Sequence, residues 1–214
     1  MHTLLIRLSG PLQSWGVTSR FTVRDTGREP SKSGVIGLIA TALGRPRNAS
    51  IHDLVTLRMG VRVDREGALE VDFHTAKDVL RAGGGLKPTE ISRRYYLADA
   101  CFLVGLESGD LDLLNQIQQA LQKPVWPLFL GRKAFVPSEP VWLDDGLRDN
   151  ASLEDALQGY PLLTSRHDPL PLRGLIEDAQ NGTIVRPDQP VSFAERRFAP
   201  RRLRLASFQP PEVA

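Results

Sequence analysis

The stretch Thr3-Leu4-Leu5-Ile6-Arg7-Leu8-Ser9-Gly10-Pro11-Leu12-Gln13-Ser14-Trp15-Gly16 sets the reading of the fold. Leu4, Ile6 and Leu8 alternate with more exposed positions, the two-residue period of a strand with one face in a core. The turn formers that follow Leu8 end that strand. Outward from it, residues 17–32 look irregular and basic. From about Ser33 to Leu43 the apolar residues Val35, Ile36, Ile39, Ala40 and Leu43 share one helical face. Ser31 or Ser33 can cap the first free amides, and Gly44-Arg45-Pro46 stops the helix.

Two further strands are expected, one alternating through Leu57, Met59, Val61 and Val63 and one through Leu69, Val71 and Phe73, with Asp64-Arg65-Glu66-Gly67 as the turn between them. Residues 76–94 break the pattern with Gly83-Gly84-Gly85, several cations and few apolar anchors, so a protruding loop or hairpin is expected there. Tyr95 to Leu106 reads as a strand. Leu111, Leu114, Ile117 and Leu121 mark a second amphipathic helix, with Asp110 and Asp112 favourably placed at its start. Residues 125–143 are apolar, aromatic and proline-rich; residues 144–190 are acidic and turn-rich, with a short helix near Leu153 to Leu157. Segments 183–194 and 201–209 are expected as terminal strands. With the insertion set aside, two strand–helix–strand units remain, an order compatible with a ferredoxin-like α+β domain.

Composition bounds the function. The chain has 214 residues, 41% of them hydrophobic, enough for a real core. Its single cysteine, Cys101, offers neither a disulfide nor a cysteine-based metal site, and His2, His52, His74 and His167 are too scattered for zinc. No basic leader with a cleavable apolar stretch and no uncharged run long enough for a membrane helix is read, so a cytoplasmic protein without membrane contact is expected. Residues 1–62 carry nine Arg or Lys against three acidic residues, whereas residues 140–190 carry nine acidic residues against four Arg. Arginine outnumbers lysine 22 to 5, which suits bidentate and stacking contacts. No Gly-Lys-Ser/Thr phosphate loop and no Gly-x-Ser-x-Gly elbow occurs.

The segments Leu8 to Gly16, Gly34 to Leu38, Gly44-Arg45, Asp72 to Thr75, Gly85 to Glu90, Arg94 to Ala100 and Pro127 to Lys133, in this order and spacing, resemble the CasD-type subunits of type I-E CRISPR Cascade, in the RAMP superfamily. The resemblance is close over residues 3–143 and loose beyond. It implies a ferredoxin-like (RRM-like) RAMP domain over 1–143 with a protruding thumb at about 75–96, and a variable C-terminal region over 144–214. It also implies binding and capping of the 5′ handle of the CRISPR guide RNA. The thumb would meet the repeated backbone subunit, the large subunit would lie alongside, and target DNA would be met only indirectly. No cofactor and no catalysis are implied, since another subunit matures the guide.

Candidate RNA contacts follow from chemistry and resemblance together. Trp15 can stack on an unstacked base and Gln13 can read a base edge, although Trp15 can equally cover the edge of the sheet. Arg20, Arg24, Arg28, Lys32 and Ser33 surround the start of the first helix, where amides and cations can hold a phosphate. In the thumb, His74, Lys77, Arg81, Lys87, Arg93 and Arg94 can meet phosphates or a protein neighbour. Gly131, Arg132 and Lys133 form a tight turn with two cations. The arginines at 196, 197, 201, 202 and 204 fit an RNA contact or a two-sided strand equally well. Two rivals remain. One is a metal-independent guide-processing endoribonuclease using His74, Lys77, Tyr95 and Tyr96, since that chemistry needs proton donors and acceptors at the scissile phosphate. The other is a purely protein-bridging subunit.

Overall fold

The computed structural model describes residues 1–17, 22–165 and 170–210. In chain order the elements are β1 (His2–Ser9), β2 (Leu12–Gln13), β3 (Val23–Arg24), α1 (Lys32–Ala42), α2 (His52–Val55), β4 (Arg58–Arg65), β5 (Ala68–Leu80), β6 (Leu86–Ala98), β7 (Cys101–Ser108), α3 (Leu111–Gln122), β8 (Trp142–Arg148), α4 (Leu153–Gly159), β9 (Leu172–Glu177), β10 (Ile184–Ser192) and β11 (Arg197–Phe208).

The expected double strand–helix–strand unit is present as β1-α1-β4 and β7-α3-β8. Its strands lie in the order β8-β1-β7-β4, all neighbours antiparallel, which is the ferredoxin-like arrangement. Alternation sorts the side chains between two cores. Leu4, Ile6 and Leu8 of β1 join Met59, Val61 and Val63 of β4 and Phe102, Val104 and Leu106 of β7 beneath α1 and α3. Leu5 and Leu103 point the other way, into a second core with Leu153 and Leu157 of α4, Leu172, Ile176 and Phe208.

Helix α1 starts where a serine can close its end: the Ser31 hydroxyl accepts from Gly34 N at 3.2 Å. More of α1 is buried than one helical face, because β10 covers a side that the periodicity alone left open. Asp110 caps α3 in the same way, accepting from Leu113 N at 2.9 Å.

Two expectations are corrected. The strand through Leu69, Val71 and Phe73 does not fold back on β4, whose two edges are already taken by β7 and β9. As β5 it leaves the core sheet and pairs with β6 along its whole length, forming a hairpin of two 13-residue strands that reaches about 40 Å. The run Tyr95 to Leu106 is not one strand either. Asp99, at φ +57°, breaks it between β6 and β7, and Arg65 Nε donates to the Asp99 carbonyl at 2.5 Å.

β9 pairs with β4, and β11 and β10 continue outward, giving a seven-stranded sheet in the order β10-β11-β9-β4-β7-β1-β8. α4 seats on the reverse face at Gly60 and Gly105, which face each other across β4 and β7. A Cβ on Gly60 would lie 2.8 Å from a methyl of Leu157 and one on Gly105 would lie 2.6 Å from a methyl of Leu153, so the two glycines let α4 approach this closely without moving its leucines. The fully buried Arg62 fastens the end of α4. It makes a bidentate pair with Asp64 (2.7 and 2.8 Å) and donates to the carbonyls of Leu157, Tyr160 and Pro161.

Candidate nucleic-acid interface

The loop after β1 builds the floor of a cleft. Gln13 and Trp15 are both buried and satisfy one another: the indole Nε1 donates to Gln13 Oε1 at 3.1 Å, while Gln13 Nε2 donates to the carbonyls of Ala100 (2.8 Å) and Leu8 (3.3 Å). Neither presents a stacking face or a free edge. Gly34 lies against the indole, 2.8 Å from it were a Cβ present, so Trp15 props the start of α1.

Above that floor is a cleft of about 270 Å³. It is lined by Arg24 and Asp25 on one side, Ser31 and Ser33 of the helix start, Gly131 and Arg132 from the late turn, and Phe193 and Phe198 from the β10–β11 hairpin. Of the sequence candidates, Arg24, Ser33, Gly131 and Arg132 therefore converge, with Trp15 at the base. Arg94 adjoins them because β3 runs parallel to β6 and matches Arg24 with Arg94, while Arg93, matched with Val23, faces the other side of the hairpin.

Gly131 makes the convergence possible. It sits at φ +91°, and a Cβ there would fall 1.8 Å from the Ser14 carbonyl oxygen. Arg132 then reaches the base of the hairpin, donating to the Tyr95 carbonyl at 2.8 Å with its guanidinium carbon 5.3 Å from the Phe135 ring centre. Burial, and then the charges of Arg94 and Arg24, push the Arg132 pKa down from its ordinary value. Three guanidinium groups thus crowd one place, and an anion there would relieve their repulsion.

Other candidates lie elsewhere. Arg28 and Lys133 are exposed outside the cleft lining. Lys32 is 1% exposed: its Nζ donates to both oxygens of Glu177 at 3.1 and 3.0 Å, and its backbone N–H donates to Asp188 at 2.9 Å. A protein carboxylate therefore already occupies this part of the helix start. Burial lowers the Lys32 pKa despite the nearby Glu177. Arg20 lies outside the described residues. His74, Lys77, Arg81 and Lys87 are spread along the hairpin; Lys87 pairs with Glu90, and Arg93 stands 5.6 Å over the exposed Phe73 ring.

The residues of the nuclease alternative do not meet. Register places His74 opposite Ser92 and Tyr96 opposite Glu70 on one face of the hairpin, but Tyr95 opposite Val71 and Lys77 opposite Thr89 on the other. Among the described residues no group of three His, Cys, Asp or Glu side chains could hold a metal ion, and no helix is long and apolar enough to cross a membrane. Cys101 is buried, and burial pushes its thiol up to about 11.

Sequence reasoning missed Phe193 and Phe198. Both flank Arg196 and Arg197, and an aromatic pair around cations is the signal that could have marked them. The tail arginines serve several ends. Arg201 is buried against Asp188 at 2.6 and 2.9 Å, Arg204 pairs with Glu154 and Asp178, and Arg202 is exposed.

Residues 3–204 match the family described as CRISPR-associated protein (Cas_Cas5). The chain is 29% identical, over 92% of each chain, to the CRISPR system Cascade subunit CasD of Escherichia coli (strain K12). A solved structure described as "Crystal structure of Cas protein" superposes at a TM-score of 0.82 with 47% identity, over 99% of this chain and 98% of that one. A chain of a structure described as "CRISPR RNA-guided surveillance complex" superposes at 0.83 with 34% identity, over 98% and 91%.

Proposed function

From the premise that the chain belongs to the Cas5 family of CRISPR-associated proteins, as a CasD-type RAMP subunit, we propose that it holds the 5′ handle of the guide RNA in a Cascade-like surveillance complex without cutting it. The observation that carries this reading is the meeting of Arg24 and Arg132 at one cleft, with Arg94 beside them at the base of a long projecting hairpin. Guanidinium groups suit phosphate oxygens in number and geometry. In this reading Gln13 and Trp15 act through the cleft floor they build and not as readers of bases. Arg28 and Lys133 extend the cationic rim.

The hairpin suits a second task. Leu69, Val71, Phe73 and Ile91 lie on one face of it, each 43–62% exposed. An exposed apolar strand face on a projecting arm fits a protein neighbour better than solvent. We assign it to the repeated backbone subunit, with the large subunit bordering the body of the chain and target DNA met only through them.

The test is reconstitution of the complex with Arg24→Glu or Arg132→Glu. Guide RNA is expected to be lost while the other subunits still co-purify. Retained guide with broken subunit contacts would replace this reading with a protein-bridging one. In parallel, wild-type protein incubated with repeat RNA in chelator is expected to leave it intact on a denaturing gel.

A further inference from the structure

The cleft has an aromatic wall that a phosphate site does not need. Phe193 is half-buried and fixed: it packs toward α1, and its carbonyl accepts from Arg47 Nε at 2.8 Å. Phe198 lies at the cleft on β11, opposite Pro190, and is 44% exposed. A large ring left this open beside Arg24 and Arg132 is costly in water and useful to a flat ligand. The volume of about 270 Å³ falls just short of the usual small-molecule range of about 300–1,000 Å³, so the cleft suits one flat group and not a length of chain. Trp15, the obvious stacking residue by sequence, is 1% exposed and unavailable.

We propose that Phe198 is the stacking platform for a single unpaired RNA base, with Phe193 as the fixed wall behind it and Arg24 and Arg132 taking the adjoining phosphate. The inference rests on the guide-binding reading and adds to it a subsite supplied by the C-terminal hairpin. Stacking recognises any base by its face, so Phe198 supplies affinity for bases as such and not a sequence preference. Glu29 braces the sheet on either side of this wall. It is 3% exposed and pairs with both Arg173 of β9 and Arg186 of β10, which ties the segment before α1 to the two strands that flank β11, the strand of Phe198.

The experiment measures equilibrium binding at low salt, by anisotropy, of a labelled oligo(U) 12-mer and of an abasic ribose-phosphate 12-mer. Wild type is expected to prefer the base-bearing chain. Phe198→Ala is expected to remove that preference, weakening oligo(U) binding by about 5- to 150-fold, the range base–aromatic stacking supplies, with abasic binding unchanged. Phe198→Tyr restores the preference. Equal weakening of both ligands by Phe198→Ala, or weakening of neither, overturns the proposal. Loss of subunit assembly with RNA binding intact would assign the ring to a protein partner and overturn it as well. Wild type that binds both ligands alike leaves guide binding standing and removes the stacking site. Wild type that binds neither removes both.

Discussion

Gly131 is the residue on which the cleft turns. Its φ of +91° and the 1.8 Å gap to the Ser14 carbonyl leave no room for a side chain. Gly131→Ala is expected to cost on the order of 1–3 kcal/mol from the backbone conformation alone, with more from the clash. Because Arg132 follows directly, RNA affinity should fall with stability; a variant with a lowered melting midpoint and wild-type RNA affinity would show that the turn does not position Arg132. Sequence made Gly131, Arg132 and Lys133 candidates by type, and two of the three line the cleft. The same reasoning left Trp15 open between stacking on a base and covering the sheet and put Lys32 at a surface; the fold buries both. What separates the two outcomes is the neighbour: Gly34 against the indole and Glu177 on the ammonium stand on segments whose approach no local pattern encodes.

At the scale of elements, the hairpin and the helices differ in what holds them. Helices α1, α3 and α4 bury apolar faces, so periodicity finds them to within a residue or two, whereas the four-residue α2 is too short to show a period. The hairpin buries little, and its strands are specified by pairing with each other. Phe73→Asp with Ile91→Asp should therefore leave the fold within about 0.5 kcal/mol of wild type, as exposed substitutions do. Co-purification with the other subunits is expected to fail, and unimpaired assembly would show that this face is not a docking surface. The length of the hairpin was only partly legible. Leu69, Val71 and Phe73 alternate like core residues, and only the occupation of both edges of β4 shows that they cannot pair there. β9 was missed for a related reason: Leu172 to Glu177 is short, follows a proline-rich stretch and makes sense only beside β4 and β11.

Over the whole molecule, the opposite charges of the two ends of the sequence turn out to answer one another. Lys32 meets Glu177 and Arg58 meets Glu154, and the reverse pairing also occurs, Glu29 of the basic segment meeting Arg173 and Arg186 of the acidic one. Glu154 and Glu177 of the acidic stretch thus serve as internal counter-charges, which composition could not distinguish from an acidic surface. Burial tends to raise the Glu29 carboxyl, but Arg186 and Arg173 outweigh it and hold it below the ordinary 4.5. A group so depressed adds stability that is complete above its unfolded value and lost as pH falls through its folded one. Glu29→Gln should cost on the order of 2 kcal/mol at pH 7, with the gap to wild type closing as pH drops below that 4.5. A gap independent of pH in urea titrations would mean that Glu29 is not what joins the two halves. The facing pair Gly60 and Gly105 has a consequence for biosynthesis. All four strands of the ferredoxin-like unit have been translated by Arg148, yet the reverse face of its sheet stays bare at those glycines until Leu153 and Leu157 leave the ribosome. The outer edge of β4 waits longer still, for Leu172 to Glu177. A nascent chain of this protein therefore cannot complete its centre early and add the rest; it must hold an open sheet until Glu177 has been made.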